Sequence, residues 1–350
     1  MRHVDYQNHY DIKNAVESIC IRSENYFHNL KNAKILLTGG TGFFGFWLMN
    51  VFMYLFKENK FNGKIYLITR DRDGFIESNK DIFSSNFVDV IEGDIKSVKL
   101  DKIKPDHLIH FASTSASETY NNIKQIEKID TLYLGTKNIL EQCGNSLKKV
   151  LFASSGAAYG EIDTDYKITE DTFTRLMSNN EKFALCIGKT ISEFQISFYS
   201  KVFNYDYSIA RCFSFAGEFM PLSLHYAFGN FIRNAMQNEN IVVTGSGEAQ
   251  RSYMYVGDAI VWFFAMLSNP KNDTFNVGSD NGISIKHLAE IIAKKSNCKV
   301  FAKPIKRNEG NFVRSSYIPS LSKIKEYYPE LDCWTRLNKI IDICLKKNIN

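Results

Sequence analysis

A short apolar run that meets a cluster of glycines constrains this chain more than any other stretch. The run Lys34–Thr38 is followed by Gly39, Gly42 and Gly45, and an apolar helical pattern begins directly after them. Strand, tight turn and helix in this order form the setting in which glycines let a backbone approach a pyrophosphate. The phosphate charge then lies at a helix N-terminus, where free N–H groups can bind it. We therefore predict a dinucleotide-binding loop here, rather than an ordinary glycine-rich turn.

Short apolar runs alternate with helical patterns along the first two thirds of the chain. This alternation predicts an α/β protein with a doubly wound parallel sheet, the Rossmann fold. The predicted strands cover 34–38, 64–69, 87–91, 107–112, 150–154 and 207–212, and the main predicted helices cover 123–143 and 183–199. Residues 1–32 are predicted to form a helical N-terminal extension, and 33–213 the cofactor domain. Residues 214–350 are predicted to form a smaller, mostly helical lobe that interleaves with the sheet around 252–280.

Composition excludes several classes of protein. Apolar residues make up 44% and charged residues 23% of the chain, which is typical of a globular protein. The net charge of +5 is spread without a basic block, so it gives no sign of nucleic-acid binding and mildly suits an anionic small substrate. The seven cysteines show no metal-ligand spacing, which indicates a reducing compartment and no zinc. The polar N-terminus and the short apolar runs suggest neither signal peptide nor membrane span, so we expect a cytoplasmic protein.

Three further stretches lie where a doubly wound fold would place cofactor contacts. Arg70 follows the second predicted strand, at the place where a carboxylate suits NAD and an arginine suits the 2′-phosphate of NADP. NADP is therefore favoured, while NAD, with Arg70 as an ordinary surface residue, stays open. Asp94 and Ile95 follow the third strand and could contact the adenine. Phe111 and Ala112 end the fourth strand beside the expected cofactor path.

Taken together, these and later motifs resemble the extended short-chain dehydrogenase/reductases, in particular the NAD(P)-dependent nucleotide-sugar epimerase/dehydratase family. The similarity covers about residues 33–330. Its landmarks, in order, are Thr38-Gly39-x-x-Gly42-x-x-Gly45, Gly93-Asp94-Ile95, Ser154-Ser155-Gly156-Ala157-Ala158-Tyr159-Gly160, Gly188-Lys189-x-x-x-Glu193, Arg251-Ser252-Tyr253-x-Tyr255-Val256-x-Asp258 and Phe275-Asn276-Val277-Gly278. The resemblance implies a cofactor lobe, a C-terminal lobe that holds a nucleotide diphosphate sugar, and a homodimer built from the two long helices.

The resemblance also assigns roles to single residues. Ser155 would hydrogen-bond the sugar hydroxyl that is oxidised, and Lys189 would hold the nicotinamide ribose and lower the pKa of a tyrosine base. Arg251 would contact the substrate phosphates. Asn230 and Arg314 match further substrate ligands, with a structural role as the alternative for each. The implied cofactor contacts are Thr38, Gly39, Thr41, Gly42, Phe43, Phe44, Gly45, Arg70, Asp94, Ile95, Phe111, Ala112 and Lys189.

The chain departs from the family pattern at the catalytic base. The family places a tyrosine four residues before the lysine, one helical turn away on the same face. Leu185 stands at that position, and a leucine can neither accept nor donate a proton. We interpret this as natural divergence. Other proton carriers could reach the site from elsewhere, and the sequence does not choose among them; these are Tyr120, Tyr159, Tyr166 and His225.

A second departure concerns elimination of water. The 4,6-dehydratases of the family carry an acid pair directly after the serine, whereas this chain has Gly156 and Ala157 there. Epimerases and related oxidoreductases need no such pair, so the resemblance favours them.

Three hypotheses follow from these motifs. The chain oxidises a nucleotide-activated sugar transiently with bound NAD(P), as an epimerase or related oxidoreductase serving surface-polysaccharide synthesis. Alternatively, it processes an already oxidised keto-sugar without the tyrosine base. In the third hypothesis it is a catalytically silent scaffold that binds a nucleotide sugar.

Overall fold

Helices and strands alternate along the chain. The computed structural model describes residues 10–80, 86–113, 124–162, 166–177, 179–222, 226–303 and 315–346. The α-helices in these ranges are α1 (Tyr10–Arg22), α2 (Phe43–Lys57), α3 (Arg72–Glu77), α4 (Gln125–Cys143), α5 (Ala184–Phe203), α6 (Ala227–Met236), α7 (Val256–Ser268), α8 (Ile285–Ser296), α9 (Ser322–Tyr327) and α10 (Leu337–Lys346). Short 3₁₀ turns cover Glu24–Tyr26, His28–Leu30, Gly144–Ser146, Gly156–Tyr159 and Glu181–Phe183.

The strands form one large sheet and three small ones. They are β1 (Lys34–Thr38), β2 (Lys64–Thr69), β3 (Val88–Glu92), β4 (His107–His110), β5 (Lys149–Ser155), β6 (Asp206–Cys212), β7 (Phe215–Ala216), β8 (Ile241–Thr244), β9 (Gln250–Ser252), β10 (Met254–Tyr255), β11 (Asp273–Val277), β12 (Gly282–Ser284), β13 (Val300–Lys303) and β14 (Ser316–Tyr317). The large sheet has seven strands in the order β11-β6-β5-β4-β1-β2-β3. The small sheets are β12-β9-β14, β13-β8 and β10-β7.

The strand order confirms the predicted doubly wound sheet. The pairs β1–β2, β2–β3, β1–β4 and β4–β5 are parallel. The order reverses between β1 and β4, and ligands of open α/β sheets bind outside the carboxyl ends of the strands at such a switch point. Thr38 and His110 are register partners at the ends of these two strands. The fold therefore places the glycine cluster, which follows Thr38 directly, at the switch point.

Both faces of the large sheet are covered. Leu36, Leu108 and Phe152 on the strands belong to one buried cluster with Ile139 of α4 and Ile196 of α5. A second cluster is aromatic: the Phe264 ring of α7 lies 5.5 Å from that of Phe52 on α2 and 5.0 Å from that of Phe27, measured between ring centroids. Short continuous apolar strands fold this way because a parallel sheet buries both of its faces.

The chain divides into two compact units. The first contains Met1–Ala158, Met177–Arg211 and Ile260–Phe275, and the second contains Tyr159–Leu176, Cys212–Ala259 and Asn276–Asn350. Most of the large sheet lies in the first unit, whereas the second contains the three small sheets together with α6, α8, α9 and α10. In the part of the chain that the structure describes, no helix has the length and apolar character that crossing a membrane requires.

Several predicted boundaries shift in the structure. The fourth strand ends at His110 rather than at Ala112, and α5 runs from Ala184 to Phe203, beyond the predicted end at 199. The helix predicted over 123–143 begins at Gln125, with residue 123 outside the described residues. The strands β7, β9, β10, β12 and β14 were not predicted, because two or three residues give no readable alternation. The longer strands β11, which is the seventh strand of the large sheet, and β13 were not predicted either.

Candidate active site

The glycine loop has the geometry of a phosphate cradle. Gly39 adopts a φ of +71°, which L side chains rarely adopt, and a Cβ on it would lie 2.5 Å from the carbonyl carbon of Phe111. A Cβ on Gly45 would lie 2.4 Å from the Cα of Gly40. These two glycines are therefore required by the fold, since the loop and the start of α2 pack without room for a side chain.

Gly42 has more space around it than Gly39 and Gly45. The nearest atom to a Cβ on Gly42 would be the carbonyl oxygen of Gly39, at 3.2 Å, and its φ of −88° suits any residue. Gly42 is the N-cap of α2, and the N–H groups of the first turn, from Phe43 to Gly45, have no acceptor within the helix. The open space at Gly42, together with these N–H groups, fits the pyrophosphate of a nicotinamide dinucleotide.

The predicted cofactor residues around the loop differ in their exposure to solvent. Thr38 is fully buried, whereas Thr41 is exposed and Phe43, Phe44, Phe111 and Ala112 are half-buried. The Phe44 ring packs against Phe111, with 5.9 Å between ring centroids, and against Phe263 of α7, with 5.1 Å. This aromatic group supports the loop from the side of α7.

The adenosine side of the predicted site is polar. Arg70 is exposed at the end of β2. The neighbouring carboxylate is engaged, because Asp71 caps α3 by accepting the Gly74 N–H at 3.0 Å. Asp94 is half-buried and accepts the Lys96 N–H at 2.9 Å, while Ile95 is buried against Gly135 of α4.

Lys189 is buried beside β5. Its Nζ donates a hydrogen bond of 2.6 Å to the carbonyl oxygen of Ala153 and lies 4.9 Å from the centroid of the Phe152 ring. Ser155 ends the same strand, half-buried, and its Oγ accepts the Ala157 N–H at 3.1 Å. The first unit thus contains the predicted lysine and serine on adjoining elements, with α5 placed against the carboxyl end of β5.

An ion pair holds α5 against the sheet. Arg211 of β6 donates two hydrogen bonds to the Glu193 carboxylate, of 3.0 and 2.7 Å. Ser154 of β5 also hydrogen-bonds Glu193. A fork of two parallel bonds fixes direction as well as distance, so the helix that carries Lys189 has a defined rotation over β5.

Leu185 lies one turn before Lys189 on α5 and is half-buried. Its neighbour Cys186 is buried, with its Sγ directed to the Ala158 carbonyl oxygen at 3.4 Å. The position that the resemblance assigns to a tyrosine therefore carries an apolar side chain.

The structure describes two of the four suggested substitutes for the tyrosine. The Tyr159 hydroxyl is fully buried and donates to Asn276 Oδ1 at 2.7 Å, so this hydroxyl has a structural partner. Tyr166 is 81% exposed. Tyr120 and His225 lie outside the described residues.

Two of the predicted substrate residues, Asn230 and Arg251, belong to the second unit, whereas Ser155 belongs to the first. Asn230 lies half-buried on α6. Arg251 lies half-buried on β9, opposite Ile283 and Tyr317, and its Nη1 donates to the Gln250 carbonyl oxygen at 2.7 Å. Arg314 lies outside the described residues.

Sequence reasoning missed one polar group behind the loop. The imidazole of His110 is fully buried, and its Nδ1 is 2.6 Å from Thr38 Oγ1. Burial lowers the pKa of His110 to about 3, and the positive charge of Lys189 acts in the same direction. The signal was present in the sequence as a histidine at the end of an apolar strand, but its partners are distant along the chain.

Comparison with known proteins adds three findings. UDP-N-acetyl-alpha-D-glucosaminuronate decarboxylase of Bacillus cytotoxicus is 28% identical over 314 residues, which cover 84% of this chain and 91% of that protein. UDP-glucuronic acid decarboxylase 1 of Xenopus tropicalis is 25% identical over 266 residues, so that the match covers 74% of this chain and only 59% of that protein's length. The crystal structure of UDP-glucuronic acid 4-epimerase from Bacillus cereus, in complex with UDP-glucuronic acid and NAD, has the same fold. Its TM-score is 0.75 at 20% identity, with 89% of this chain and 98% of that one covered.

A match to a protein family covers most of the chain. Residues 35–278 match the family described as the NAD dependent epimerase/dehydratase family. The match begins in β1, includes the glycine loop, Ser155, Lys189 and Arg251, and ends directly after β11. The chain therefore belongs to the NAD dependent epimerase/dehydratase family.

Proposed function

We propose that this protein is an NAD(P)-dependent enzyme that modifies a nucleotide-activated sugar through a keto intermediate, as an epimerase or related oxidoreductase. The observation that carries the proposal is the combination of an open phosphate cradle at Gly42 with Lys189 and Ser155 beside β5 in the same unit. A protein that had lost cofactor chemistry would be under no constraint to keep all three.

Single residues have distinct proposed roles in binding the cofactor and the substrate. The N–H groups of Phe43, Phe44 and Gly45 would bind the pyrophosphate, and Lys189 would hold the nicotinamide ribose. Ser155 would orient the sugar hydroxyl, and Arg251 and Asn230 would bind the nucleotide part of the substrate. When bound, the cofactor supplies a hydride acceptor that later returns the hydride. The charge of Lys189 favours a negative group beside it, whichever residue or water takes the hydroxyl proton.

A second candidate function is favoured by Leu185. If no other group replaces the tyrosine, oxidation of a hydroxyl lacks its general base. A substrate that already carries a keto group needs only proton shifts at neighbouring carbons, which an apolar side chain at 185 would allow. The third candidate is a catalytically silent scaffold that binds a nucleotide sugar, and the experiment must distinguish it from the two enzymatic candidates.

The biological role follows from the substrate class. Nucleotide-activated sugars are the donors from which polysaccharides are assembled, and the proposed enzyme would supply one of them for a surface polysaccharide. The relatives named above are two decarboxylases and one epimerase of UDP-linked uronic acids. UDP-sugars are therefore the first substrates to test.

Arg70 supports NADP as the preferred cofactor. Its guanidinium is exposed at the end of β2, and the nearby Asp71 carboxylate already caps α3. A positive group at this place suits a 2′-phosphate better than a free ribose hydroxyl.

We further propose a homodimer formed through α4 and α5. Large apolar side chains are exposed on these two helices; they are Ile126, Tyr133 and Leu134 on α4 and Phe194, Phe198 and Val202 on α5. Phe194 is 65% and Phe198 50% exposed, and their rings stack with 6.0 Å between centroids. Exposed apolar patches of this kind mark interaction sites, and a self-complementary pair of helices fits a second copy of the chain.

The experiment that tests the enzymatic proposal is a substrate panel followed by proton NMR. The purified protein is incubated with UDP-glucose, UDP-glucuronic acid and UDP-N-acetylglucosamine, each with NAD and with NADP, and in D₂O to reveal proton exchange. The Gly42→Val and Ser155→Ala variants serve as controls that lack the cofactor site and the hydroxyl contact.

Each outcome decides between the candidates. A new sugar isomer or a keto-sugar that needs cofactor and Ser155 supports the proposal. Deuterium uptake by a supplied UDP-4-keto-sugar, without conversion of ordinary UDP-sugars, favours the second candidate. Binding of UDP-sugars without either reaction would leave the scaffold as the better account.

A further inference from the structure

Four buried polar side chains form a continuous hydrogen-bonded chain between the glycine loop and α5. They are Thr38, His110, Thr136 and Ser192, and each is at most 1% exposed. Thr38 and His110 end β1 and β4, while Thr136 and Ser192 lie on the facing sides of α4 and α5. Of the four residues, the sequence motifs assign a role only to Thr38, as a cofactor contact, and neither they nor the family match assign one to the path as a whole.

The distances describe an unbroken path. The Ala112 N–H donates to Thr38 Oγ1 at 3.1 Å, and Thr38 Oγ1 is 2.6 Å from His110 Nδ1. His110 Nε2 is 3.0 Å from Thr136 Oγ1, which in turn donates to Ser192 Oγ at 3.3 Å. Ser192 Oγ shares its single hydrogen between the carbonyl oxygens of Leu132, at 3.0 Å, and Gly188, at 2.9 Å.

Only one arrangement of the hydrogens gives every donor on the path an acceptor. Each hydroxyl has a single hydrogen, and the hydrogen of Thr136 is committed to Ser192. His110 must therefore donate from Nε2 to Thr136 and accept at Nδ1 from Thr38. This fixes one neutral tautomer. A protonated imidazole would add an N–H at Nδ1, directed at Thr38 Oγ1, which already accepts the Ala112 N–H and would have to turn its own hydrogen away.

Both ends of the path join residues of the candidate site. Thr38 directly precedes Gly39, the glycine whose backbone packs against Phe111. Gly188, whose carbonyl oxygen ends the path, directly precedes Lys189. Gly188 also packs tightly on Leu132, because a Cβ there would lie 2.5 Å from Leu132 Cδ1. The path therefore links the residue before the glycine loop to the residue before Lys189.

We propose that His110 is a positioning residue that couples occupancy of the glycine loop to the turn of α5 around Lys189. A ligand phosphate that fixes the loop also fixes Thr38, and the hydrogen bonds carry this restraint through His110 to Gly188. The proposal rests on the cofactor loop alone and needs no sugar chemistry.

The test uses ADP, which has the diphosphate and adenosine of the cofactor but no nicotinamide. Amide hydrogen exchange is measured with and without ADP for peptides that cover 39–46 in the loop and 186–192 in α5. The central variant is Thr136→Val, which keeps the shape of the side chain and removes the link between His110 and Ser192. Thr136→Ser restores the hydroxyl. Ser268→Ala is the matched control, since it removes a buried hydroxyl that bonds only within α7, to Ala265.

We expect ADP to slow exchange in both peptides of the parent, of Thr136→Ser and of Ser268→Ala. In Thr136→Val, ADP should slow exchange in the loop but no longer in 186–192. NADH affinity should fall about fivefold in that variant, the value of one hydrogen bond, while ADP affinity stays within a factor of two of the parent.

Two results would overturn the proposal. One is a parent in which ADP binds without any effect on 186–192, and the other is a Thr136→Val variant that keeps the effect. If Thr136→Val fails to fold, Ser192→Ala breaks the same link on α5 and is read in the same way. Because ADP is the only ligand in the exchange experiment, failure of the proposed sugar reaction would leave this result unchanged.

Discussion

At the scale of single residues, Leu185 is the position where we propose that the chemistry of this protein departs from the family pattern. The ammonium of Lys189, one turn later, is buried against Ala153 and the Phe152 ring. In the usual arrangement that charge lowers the pKa of a phenol, so that the phenol can act as a base near neutral pH. Here the charge is present, and Leu185 is proposed to stand in place of the phenol.

Replacing Leu185 by tyrosine should restore the missing proton acceptor. If Ser155 and Lys189 are otherwise in working positions, the rate of hydride transfer from ordinary UDP-sugars should rise by about 10²–10⁴, the usual contribution of a positioned acid–base group. The measurement is NADH or NADPH absorbance in single-turnover mixing. Leu185→Phe is the control, because it adds a ring without the hydroxyl. A variant in which tyrosine slows the native reaction would instead show that Leu185 shapes the pocket for a keto-sugar.

Gly42 and Gly45 give a matched pair of substitutions in one loop. Gly42→Val should fold, since only the Gly39 carbonyl oxygen is near its Cβ, but its side chain would fill the space of the phosphate. We expect cofactor affinity to fall at least about 100-fold, which corresponds to about 2.8 kcal/mol. Gly45→Val should fail to fold, because its Cβ would meet the Gly40 backbone at 2.4 Å. Calorimetric titration and circular dichroism separate the two effects, and unchanged cofactor binding by folded Gly42→Val would contradict the assignment of the loop.

Arg251 is proposed as a ligand of the substrate diphosphate. Arg251→Ala should weaken UDP-sugar binding by about 1.5–3 kcal/mol, the scale of hydrogen bonds to a charged group. Arg251→Lys should recover only part of this, because lysine keeps the charge without the planar fork. Titration with a UDP-sugar and with NAD(P) gives both affinities. Equal losses for the two ligands would indicate damage to the fold rather than to a substrate contact.

At the scale of elements, the strand–turn–helix unit at residues 34–57 could be predicted from sequence, because its signals are local. Three glycines at fixed spacing after an apolar run specify the turn and the helix start together. The hydrogen-bonded path that joins Thr38, His110, Thr136 and Ser192 could not be predicted in this way. Its four polar side chains are ordinary in isolation, and only the pairing of β1 with β4 and of α4 with α5 brings them together. Likewise, Tyr159 could be suggested as a proton carrier until the structure gave its hydroxyl a buried partner in Asn276.

The buried histidine of β4 should make stability depend on pH. Burial lowers the pKa of His110 from its ordinary value of 6.5 to about 3. Below pH 6.5 the unfolded chain therefore binds a proton that the folded chain does not, and the free energy of unfolding falls as pH decreases through this window. The slope is about 1.4 kcal/mol per pH unit, and Lys189 is the charged group that acts on the imidazole in the same direction.

Urea unfolding at pH 7 and pH 5 measures this contribution. The parent should lose about 2 kcal/mol more between the two pH values than His110→Gln does. The other ionisable groups are common to both proteins. The same loss in both proteins would mean that His110 is protonated in the folded state.

At the scale of the whole molecule, the exposed aromatic side chains of α5 predict the oligomeric state. Phe198→Glu would place a charge in the proposed contact between α5 helices of two copies, where it would be desolvated without a partner. Light scattering after size exclusion should give twice the chain's 40.2 kDa for the parent and a single chain for the variant. Phe301→Glu is the matched control, since Phe301 is equally 50% exposed but lies on β13. A monomeric parent would remove the dimer from the proposal.

The division into two units has both local and long-range causes in the sequence. The end of the strand–helix alternation near residue 213 is a local signal, and it lies close to the change of unit at Cys212. That Ile260–Phe275 belongs to the first unit depends on the packing of α7, including the contacts of Phe263 and Phe264 with aromatic rings more than 150 residues earlier. Such long-range packing cannot be recognised from the sequence of a stretch of ten or twenty residues.

This division has a consequence for how the protein can be made. The chain passes between the units five times, at 158, 176, 211, 259 and 275. A ribosome releases the N-terminal sheet strands long before α7 exists, so the first unit cannot complete its aromatic core until synthesis has passed Phe275. Until then the rings of Phe27, Phe44 and Phe52 lack their partners on α7. Nascent chains of this length expose apolar surface that chaperones bind, and neither unit can be cut out of the gene as one contiguous fragment.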